Sequence, residues 1–218
     1  VIDFVDITHP RGEMGVRPQL PDSCCLGKNI FVRGFSRYTV SKRRIHIMSQ
    51  RIKNQLIAKV ITRFPSLAQR FITAYEPWES GEPTPWAPVA KPLGECRVAL
   101  VTTSGVHHKG QEPFDMTDSA GDPSVREIDA ATISNDYVIT HDYYDHADAE
   151  KDLNIIFPID RLRELQDEGI IGELADRHYS LMGHIDGHHI ATLVGESAKK
   201  IVERLKQQAV DVVLLTPA

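Results

Sequence analysis

Apolar residues recur at helical spacing in a stretch that begins directly after Met48. From Ile52 onward they stand three or four positions apart with polar residues between them, which predicts an amphipathic helix. Pro65 interrupts the stretch and should end or kink the helix near Phe64, because proline has no backbone N–H to donate. The pattern therefore predicts a helical arm over residues 49–74, divided into two short helices.

The second half of the chain alternates short apolar runs with longer helical periods. Three runs rich in β-branched residues, at 97–103, 136–140 and 210–215, are typical of strands buried on both faces. Helices are predicted near 159–168 and 188–208, and the second of these has one apolar stripe and leads directly into a strand. The predicted fold class is α/β: a Rossmann-like sandwich around a parallel sheet, preceded by the helical arm.

Three regions of different character divide the chain. Residues 1–47 show no sustained period and are interpreted either as poorly packed upstream sequence before a native start at Met48 or as a genuine extension. Residues 48–94 are predicted to form the helical arm and a connector whose prolines forbid regular structure. Residues 95–218 are predicted to form the α/β domain. We expect this domain to be truncated at its C-terminus, because a strand runs almost to Ala218 without a closing helix.

Composition excludes several classes of function. Hydrophobic residues make up 41% and charged residues 25% of the 218 positions, as in an ordinary globular protein. The net charge of −5 argues against a nucleic-acid partner, and no apolar run approaches the ~20 residues of a membrane span. Three cysteines cannot form a disulfide framework, and they fit a reducing compartment. The sequence therefore predicts a cytoplasmic protein without nucleic-acid or membrane partners.

Most of the candidate chemistry lies in three histidine-containing clusters within the α/β region. Each cluster follows a strand or a turn signal, and the carboxyl ends of parallel strands meet at one edge of a sheet. We therefore expect the clusters to converge on one site that binds a small-molecule substrate. The candidate substrate-binding residues are His107, Glu112, Asp115, His141, Tyr143, Asp145, His146 and His184.

The second cluster has alternative interpretations. His141, Asp145 and His146 have the residue types and tight spacing of a hydrolytic metal site. The segment is similar to the His-x-His-x-Asp-His motif of metallo-β-lactamase-like hydrolases, but Tyr143 stands where their second histidine belongs. A structural alternative is that the tyrosines pack and the residues from Asp145 onward form a solvated turn and helix cap. Metal ligation, structural hydrogen bonding and substrate binding all stay open, and so does a metal-dependent hydrolase as the function.

Several segments of the α/β region, taken in order, resemble one known family. They are Val98-Ala-Leu-Val-Thr-Thr-Ser-Gly-Val-His107, Gln111-Glu-Pro-Phe-Asp-Met116, Gly121-Asp-Pro-Ser-Val-Arg-Glu127, Thr140-His-Asp-Tyr-Tyr-Asp-His146, Asp152-Leu-Asn-Ile-Ile-Phe-Pro158, Arg161-Leu-Arg-Glu-Leu165 and His178-Tyr-Ser-Leu-Met-Gly183. Together they resemble the selenoprotein B family of glycine, sarcosine, betaine and D-proline reductases, and in particular its shorter, D-proline reductase-like members. The resemblance extends from about Pro92 to Ala218.

The resemblance implies a subunit of a thiol- or selenol-dependent reductase that cleaves a small amino-acid-like substrate. It implies an oxidoreductase with a disulfide as acceptor, a dithiol as electron donor and no further cofactor. In the family, a selenocysteine or cysteine followed by x-x-Cys attacks the substrate, since the ionised form is the nucleophile. That motif begins just after a strand resembling Val212-Val-Leu-Leu-Thr-Pro-Ala218.

The redox residue is therefore expected immediately after Ala218, with no catalytic residue in the chain as written. Selenocysteine is encoded by a codon normally read as a stop, so a misread frame would end the protein at this point. We expect the 218-residue chain to show no reductase turnover, because Cys24, Cys25 and Cys96 cannot replace the missing pair. The expected partner is a second reductase subunit or another copy of the chain. A non-catalytic, partner-binding subunit is the remaining alternative.

Overall fold

The fold is a mixed α/β structure, taken from a computed structural model that describes residues 4–5, 37–64, 66, 69, 87–132 and 136–217. In chain order its elements are β1 (Phe4–Val5), α1 (Arg37–Arg63), β2 (Arg97–Thr102), β3 (Val106–His108), β4 (Arg126–Asp129), β5 (Tyr137–Ile139), α2 (Ile159–Asp167), β6 (Glu173–Leu174), β7 (Arg177–Ser180), α3 (His189–Thr192), a π-helical turn (Leu193–Ser197), α4 (Ala198–Gln207) and β8 (Val212–Thr216). Short 3-10 turns lie at Leu93–Glu95 and Leu153–Ile155.

The main sheet is mixed, with the strand order β1-β8-β2-β7-β4 and with β6 also paired to β2. Strand β2 runs parallel to β6, β7 and β8, whereas β1 and β4 pair antiparallel at the two edges. Strands β3 and β5 form a separate antiparallel pair. The α/β class predicted from the sequence is confirmed, but the all-parallel, Rossmann-like arrangement is not.

Both faces of β2 are buried, which explains its continuous apolar sequence. Because side chains alternate along a strand, Val98 and Leu100 face one layer, and Ala99 and Val101 face the other. The first layer contains α2 through Ile159 and Leu162, together with Phe157. The second contains α4 through Ile201 and Leu205, together with Tyr179. Burial of each such large side chain contributes about 1.5–3 kcal/mol, so both layers stabilise the packing of the helices on the sheet.

A histidine ring forms one of the hydrogen bonds along β2. His178 is fully buried, and its Nδ1 accepts a hydrogen bond of 3.0 Å from the backbone N–H of Leu100. The ring takes the place of a strand carbonyl between the β6 and β7 pairings, while its Nε2 is buried and has no hydrogen-bond partner among the described residues. Burial lowers the pKa of His178 to about 4, so the imidazole is neutral at physiological pH.

The predicted helix 188–208 is divided into three segments. A π-helical turn at Leu193–Ser197 separates α3 from α4 and includes Gly195, a residue that favours helices weakly. The Ser197 hydroxyl donates a 2.5 Å hydrogen bond to the carbonyl of Pro123, outside the helix. Such turns are often found at functional sites.

Helix α1 contacts the domain through its polar side, and most of the larger apolar residues of its described part are exposed. Ala58 is buried, while Ile52, Leu56 and Val60 are 46–58% exposed. The helix ends at Arg63, and most of the remaining predicted arm and the proline-rich connector lie outside the described residues. The two-part arm and the domain boundaries therefore stay predictions. None of the described helices combines the length and hydrophobicity that a membrane span requires.

Candidate functional site

The segments that follow β2 and β7 meet the end of β8 at one edge of the main sheet. The Thr103 N–H donates to the carbonyl of Thr216 over 3.0 Å, and the Gly105 N–H donates to the carbonyl of Leu181 over 2.9 Å. Gly183 has a φ of +91°, and a Cβ there would lie 2.1 Å from the carbonyl oxygen of Thr103. A side chain at position 183 would therefore separate the two segments, and glycine permits their contact.

The segment after β5 reaches the same edge. The Thr140 N–H donates to the carbonyl of Gly105 over 2.9 Å. Gly105 has a φ of +72°, and a Cβ on it would lie 2.5 Å from the Thr140 oxygen and 3.0 Å from the Cβ of His141. This close approach brings His141 to the edge where β2, β7 and β8 end, although β5 itself pairs with β3 outside the main sheet.

His141 is a buried imidazole with a defined tautomer. Its Nδ1 accepts a 3.1 Å hydrogen bond from the backbone N–H of Tyr143, so the proton of the neutral ring is on Nε2. Burial, with a smaller contribution from nearby His184, lowers the pKa of His141 to about 4. The ring is therefore neutral near pH 7, and it offers an N–H donor rather than a positive charge.

Aromatic rings surround His141. Tyr144 contacts it edge-to-face at 4.7 Å between ring centroids, and Tyr143 does so at 5.8 Å. Tyr143 also stacks on His184 at 3.9 Å, and the Nε2–H of His184 donates to the carbonyl of Ser119 over 2.9 Å. The Tyr144 hydroxyl donates to a backbone carbonyl, and burial raises its pKa, so this phenol is a structural donor. His141, Tyr143 and His184 together form the centre of the site, which we name the His141 cluster.

A buried carboxylate that the sequence analysis missed connects this cluster to α1. The side chain of Asp142 is 2% exposed and lies 2.6 Å from the Nε of Arg51, and it also accepts a 2.8 Å hydrogen bond from Gln55. Asn54, on the same helix, hydrogen-bonds the side chain of Tyr143. Asp142 lies inside the cluster selected from sequence, but its ionic partner is 91 positions away, so the sequence pattern contained no signal for the pair.

His107 contacts Thr140, the residue before His141, but both of its ring nitrogens are used by the fold. It lies on β3, 2% exposed, where its Nδ1–H donates to the carbonyl of His108 and its Nε2 accepts from the hydroxyl of Thr140. Glu112 and Asp115 are exposed on the loop after β3. Within the described residues, no hydrogen bond or ring contact joins these two carboxylates to His141. Their role in substrate binding stays a prediction.

The carboxylate and histidine at the end of the second cluster make local contacts. Asp145 accepts a 3.2 Å hydrogen bond from the N–H of Ala147, as in a capped turn. His146 pairs through Nδ1 with Glu150 over 2.6 Å. Among the residues that the structure describes, His141, Asp145 and His146 do not bring three ligand atoms together, whereas a different group at Asp118 does so. The geometry thus gives no support to the hydrolase alternative.

A comparison with protein families identifies the chain. Residues 28–218 match the model described as glycine/sarcosine/betaine reductase selenoprotein B. The chain belongs to this family. The match covers most of the sequence and confirms the resemblance inferred from the α/β region.

Curated relatives in this family are named as subunits of amino-acid reductases. The chain is 41% identical to D-proline reductase subunit gamma of Acetoanaerobium sticklandii, over 62% of this chain and 53% of that protein. It is 34% identical to glycine reductase complex component B subunit gamma of Symbiobacterium thermophilum, over 67% and 34% of the two chains. It is 32% identical to sarcosine reductase complex component B subunit beta of Peptoclostridium acidaminophilum, over 62% and 31%. The chain thus matches between about a third and a half of each relative's length. No solved structure matches it significantly.

Proposed function

We propose that the chain is part of a reductase subunit that reductively cleaves a small amino-acid-like substrate with electrons from a dithiol. A selenolate or thiolate positioned directly after β8 would be the nucleophile, as the family resemblance implies. The whole activity would need a partner subunit, since relatives are named as components of multi-subunit complexes. Membership in a family of amino-acid reductases is the basis of this proposal.

One observation supports the location of the reaction. The carbonyl of Thr216 at the end of β8 is hydrogen-bonded to Thr103, at the sheet edge that carries the His141 cluster. A residue following β8 would leave the sheet at this edge. The nucleophile and the buried imidazole would then face a common space, as ligand sites at the carboxyl ends of strands do.

The proposed reaction is a two-electron reduction. The selenolate or thiolate attacks a carbon of the substrate, and the C–N bond breaks as the amine leaves with a proton. A neighbouring thiolate then attacks the selenium or sulfur, and the carbon departs with its electron pair and takes a proton. The resulting bond between the two chalcogens is reduced by the external dithiol, which becomes a disulfide. The net reaction converts the C–N bond and a dithiol into C–H, N–H and a disulfide.

The His141 cluster would hold the substrate during this reaction. The Nε2–H of His141 would donate a hydrogen bond to a substrate carboxylate. Because the ring is neutral, it adds no positive charge to the site. Tyr143 and His184 present stacked rings beside it, which suits the apolar part of a small amino acid. D-Proline is the first substrate to test, because it is named in a relative with 41% identity. Glycine, sarcosine and betaine are the others.

The test is to express the chain together with the residues that follow Ala218 in its natural reading frame. We expect consumption of one of the four substrates that depends on dithiothreitol, measured by mass spectrometry of the released amine or chain-opened acid. Replacement of the redox residue by serine should abolish it. A selenocysteine form should be faster than a cysteine form, since an unperturbed thiol with a pKa of ~8.5 is mostly protonated at neutral pH.

The matched control is the 218-residue chain itself, which should show no turnover. Intact-mass analysis of the extended chain after mixing with substrate checks the covalent step separately from turnover, so a missing partner subunit does not hide the result. Turnover by the 218-residue chain that survives replacement of Cys24, Cys25 and Cys96 by serine would contradict the proposal. That result would assign the chemistry to the histidine-containing cluster.

A further inference from the structure

Three potential metal-ligating side chains lie together beside the His141 cluster, and the proposed reaction does not use them. The Oδ2 of Asp118 lies 3.0 Å from the Nε2 of His189 and 3.8 Å from the Nε2 of His188. All three ligand atoms are within 4.8 Å of one another, and among the described residues no other group of histidines, cysteines and carboxylates meets that condition.

These distances match those between the ligands of one metal ion. Zinc binds histidine nitrogen and carboxylate oxygen at about 2.0–2.2 Å, so ligand atoms at tetrahedral angles are about 3.3–3.6 Å apart. The two measured separations, 3.0 and 3.8 Å, lie on either side of that range. Small side-chain adjustments would therefore be enough for the three atoms to bind one ion.

The two histidines converge although they are consecutive in sequence. His188 has helical backbone angles at the start of α3, and neighbouring residues on a helix normally point in different directions. Here the ring centroids of His188 and His189 are 4.0 Å apart, and both Nε2 atoms lie within 3.8 Å of the same carboxylate oxygen. This convergence is the observation that distinguishes the group from an ordinary exposed pair.

The loop that carries Asp118 is fixed against the segment that carries the histidines. The Asp186 N–H donates to the carbonyl of Ala120 over 2.8 Å, and Gly121 forms a bridge to Ile185. Gly121 has a φ of +93°, and a Cβ there would lie 1.6 Å from a backbone oxygen, so this contact requires glycine. The second oxygen of Asp118 accepts from the N–H of Ala120, which orients the carboxylate. The ligand set is therefore preorganised by backbone contacts.

We propose that Asp118, His188 and His189 bind a divalent transition-metal ion, Zn²⁺ or an ion of similar chemistry. Two imidazole nitrogens and one carboxylate oxygen are ligands that suit Zn²⁺, Co²⁺ and Ni²⁺, whereas Mg²⁺ and Ca²⁺ prefer oxygen alone. Three protein ligands leave a fourth position for water or a substrate atom. The site is connected to the His141 cluster, because Ser119 follows Asp118 directly and accepts the hydrogen bond of His184.

The test measures binding of Zn²⁺ to the full chain, purified without a polyhistidine tag and treated with a chelator. Isothermal titration calorimetry should show one ion bound per chain. Replacement of His188 by asparagine should weaken binding at least about tenfold, by analogy with the losses seen when metal-site residues are changed. This residue is suitable because its side chain is 70% exposed, so its replacement should leave folding intact.

His146→Asn is the matched control, because His146 also pairs with a carboxylate, at 2.6 Å, but has no third ligand in the described structure. Zn²⁺ affinity should not change in this variant. The visible absorption of bound Co²⁺ should be lost in Asp118→Asn and retained in His146→Asn. The proposal is overturned if the chain binds no Zn²⁺, if His188→Asn binds it as tightly as the unchanged chain, or if the loss occurs in the control alone. Since the readout is binding, the result is independent of reductase turnover.

Discussion

The ion pair between Arg51 and Asp142 should stabilise the attachment of α1 to the His141 cluster. Replacing Arg51 by methionine leaves the Asp142 carboxylate, 2% exposed, with Gln55 as its remaining donor. Removing one partner of a fully buried pair costs about 3–5 kcal/mol. The Arg51 side chain is 44% exposed, so water replaces part of its interaction, and we expect a loss of about 2 kcal/mol.

The assay is urea unfolding followed by circular dichroism, with a double-mutant cycle of Arg51→Met and Asp142→Asn. The two losses should not add, because the double variant contains no uncompensated charge, and the coupling energy should be about 1–2 kcal/mol. The control is Lys151→Met, which breaks the ion pair with Asp148. That pair is about equally short, at 2.7 Å, but its side chains are 75% and 81% exposed, so its loss should cost much less than the loss of the Arg51–Asp142 pair. Equal losses in Arg51→Met and Lys151→Met would refute the reasoning.

Two further predictions concern pH and backbone geometry. Burial lowers the pKa of both His141 and His178 from 6.5 to about 4, so the unfolded chain takes up protons that the folded chain excludes. The free energy of unfolding should therefore fall as the pH drops below 6.5, by about 1.4 kcal/mol per pH unit for each histidine. The variant His141→Asn should reduce this slope, and an unchanged slope would contradict the assignment. Gly183→Ala should destabilise the chain by at least about 2 kcal/mol more than Gly169→Ala in the same urea assay. Both glycines have positive φ, but a Cβ at position 183 would clash with a carbonyl, whereas a Cβ at position 169 would meet nothing within 4 Å. Similar losses in the two variants would show that the backbone at the sheet edge moves to accommodate the side chain.

The elements that the sequence predicted well have a continuous or periodic run of apolar residues. Strands β2 and β8 are continuous apolar runs, and α2 begins after Pro158 as its pattern indicated. Strand β4, one of the two antiparallel edge strands, has a single buried residue, Ile128, in four positions. No apolar period marks such a strand, so its existence and direction could not be predicted.

The sequence did not indicate which of the candidate site residues contact one another. His184 follows β7, a strand of the main sheet, at the edge that the strand-end rule indicates. His141 follows β5, which belongs to the separate β3–β5 pair, and it reaches this edge through the contact between Gly105 and Thr140. His107 follows a strand too, but it lies on β3, which pairs with β5 outside the main sheet, and its ring is occupied by backbone and hydroxyl partners. The pairing of Asp142 with Arg51 depends on how α1 packs, which local sequence does not encode.

The position of β2 in the sheet has a consequence for how the protein folds. This strand is translated early, but its hydrogen-bonding partners come from much later residues: His178 lies 78 positions after Leu100, and Asp211 lies 114 positions after Arg97. A nascent chain cannot complete the pairing of β2 until residues 212–216 have left the ribosome. Until then the strand keeps an open apolar edge, which makes folding slow and self-association a competing reaction. Synthesis rate and chaperone access should therefore influence the yield of folded protein more than substitutions on its surface.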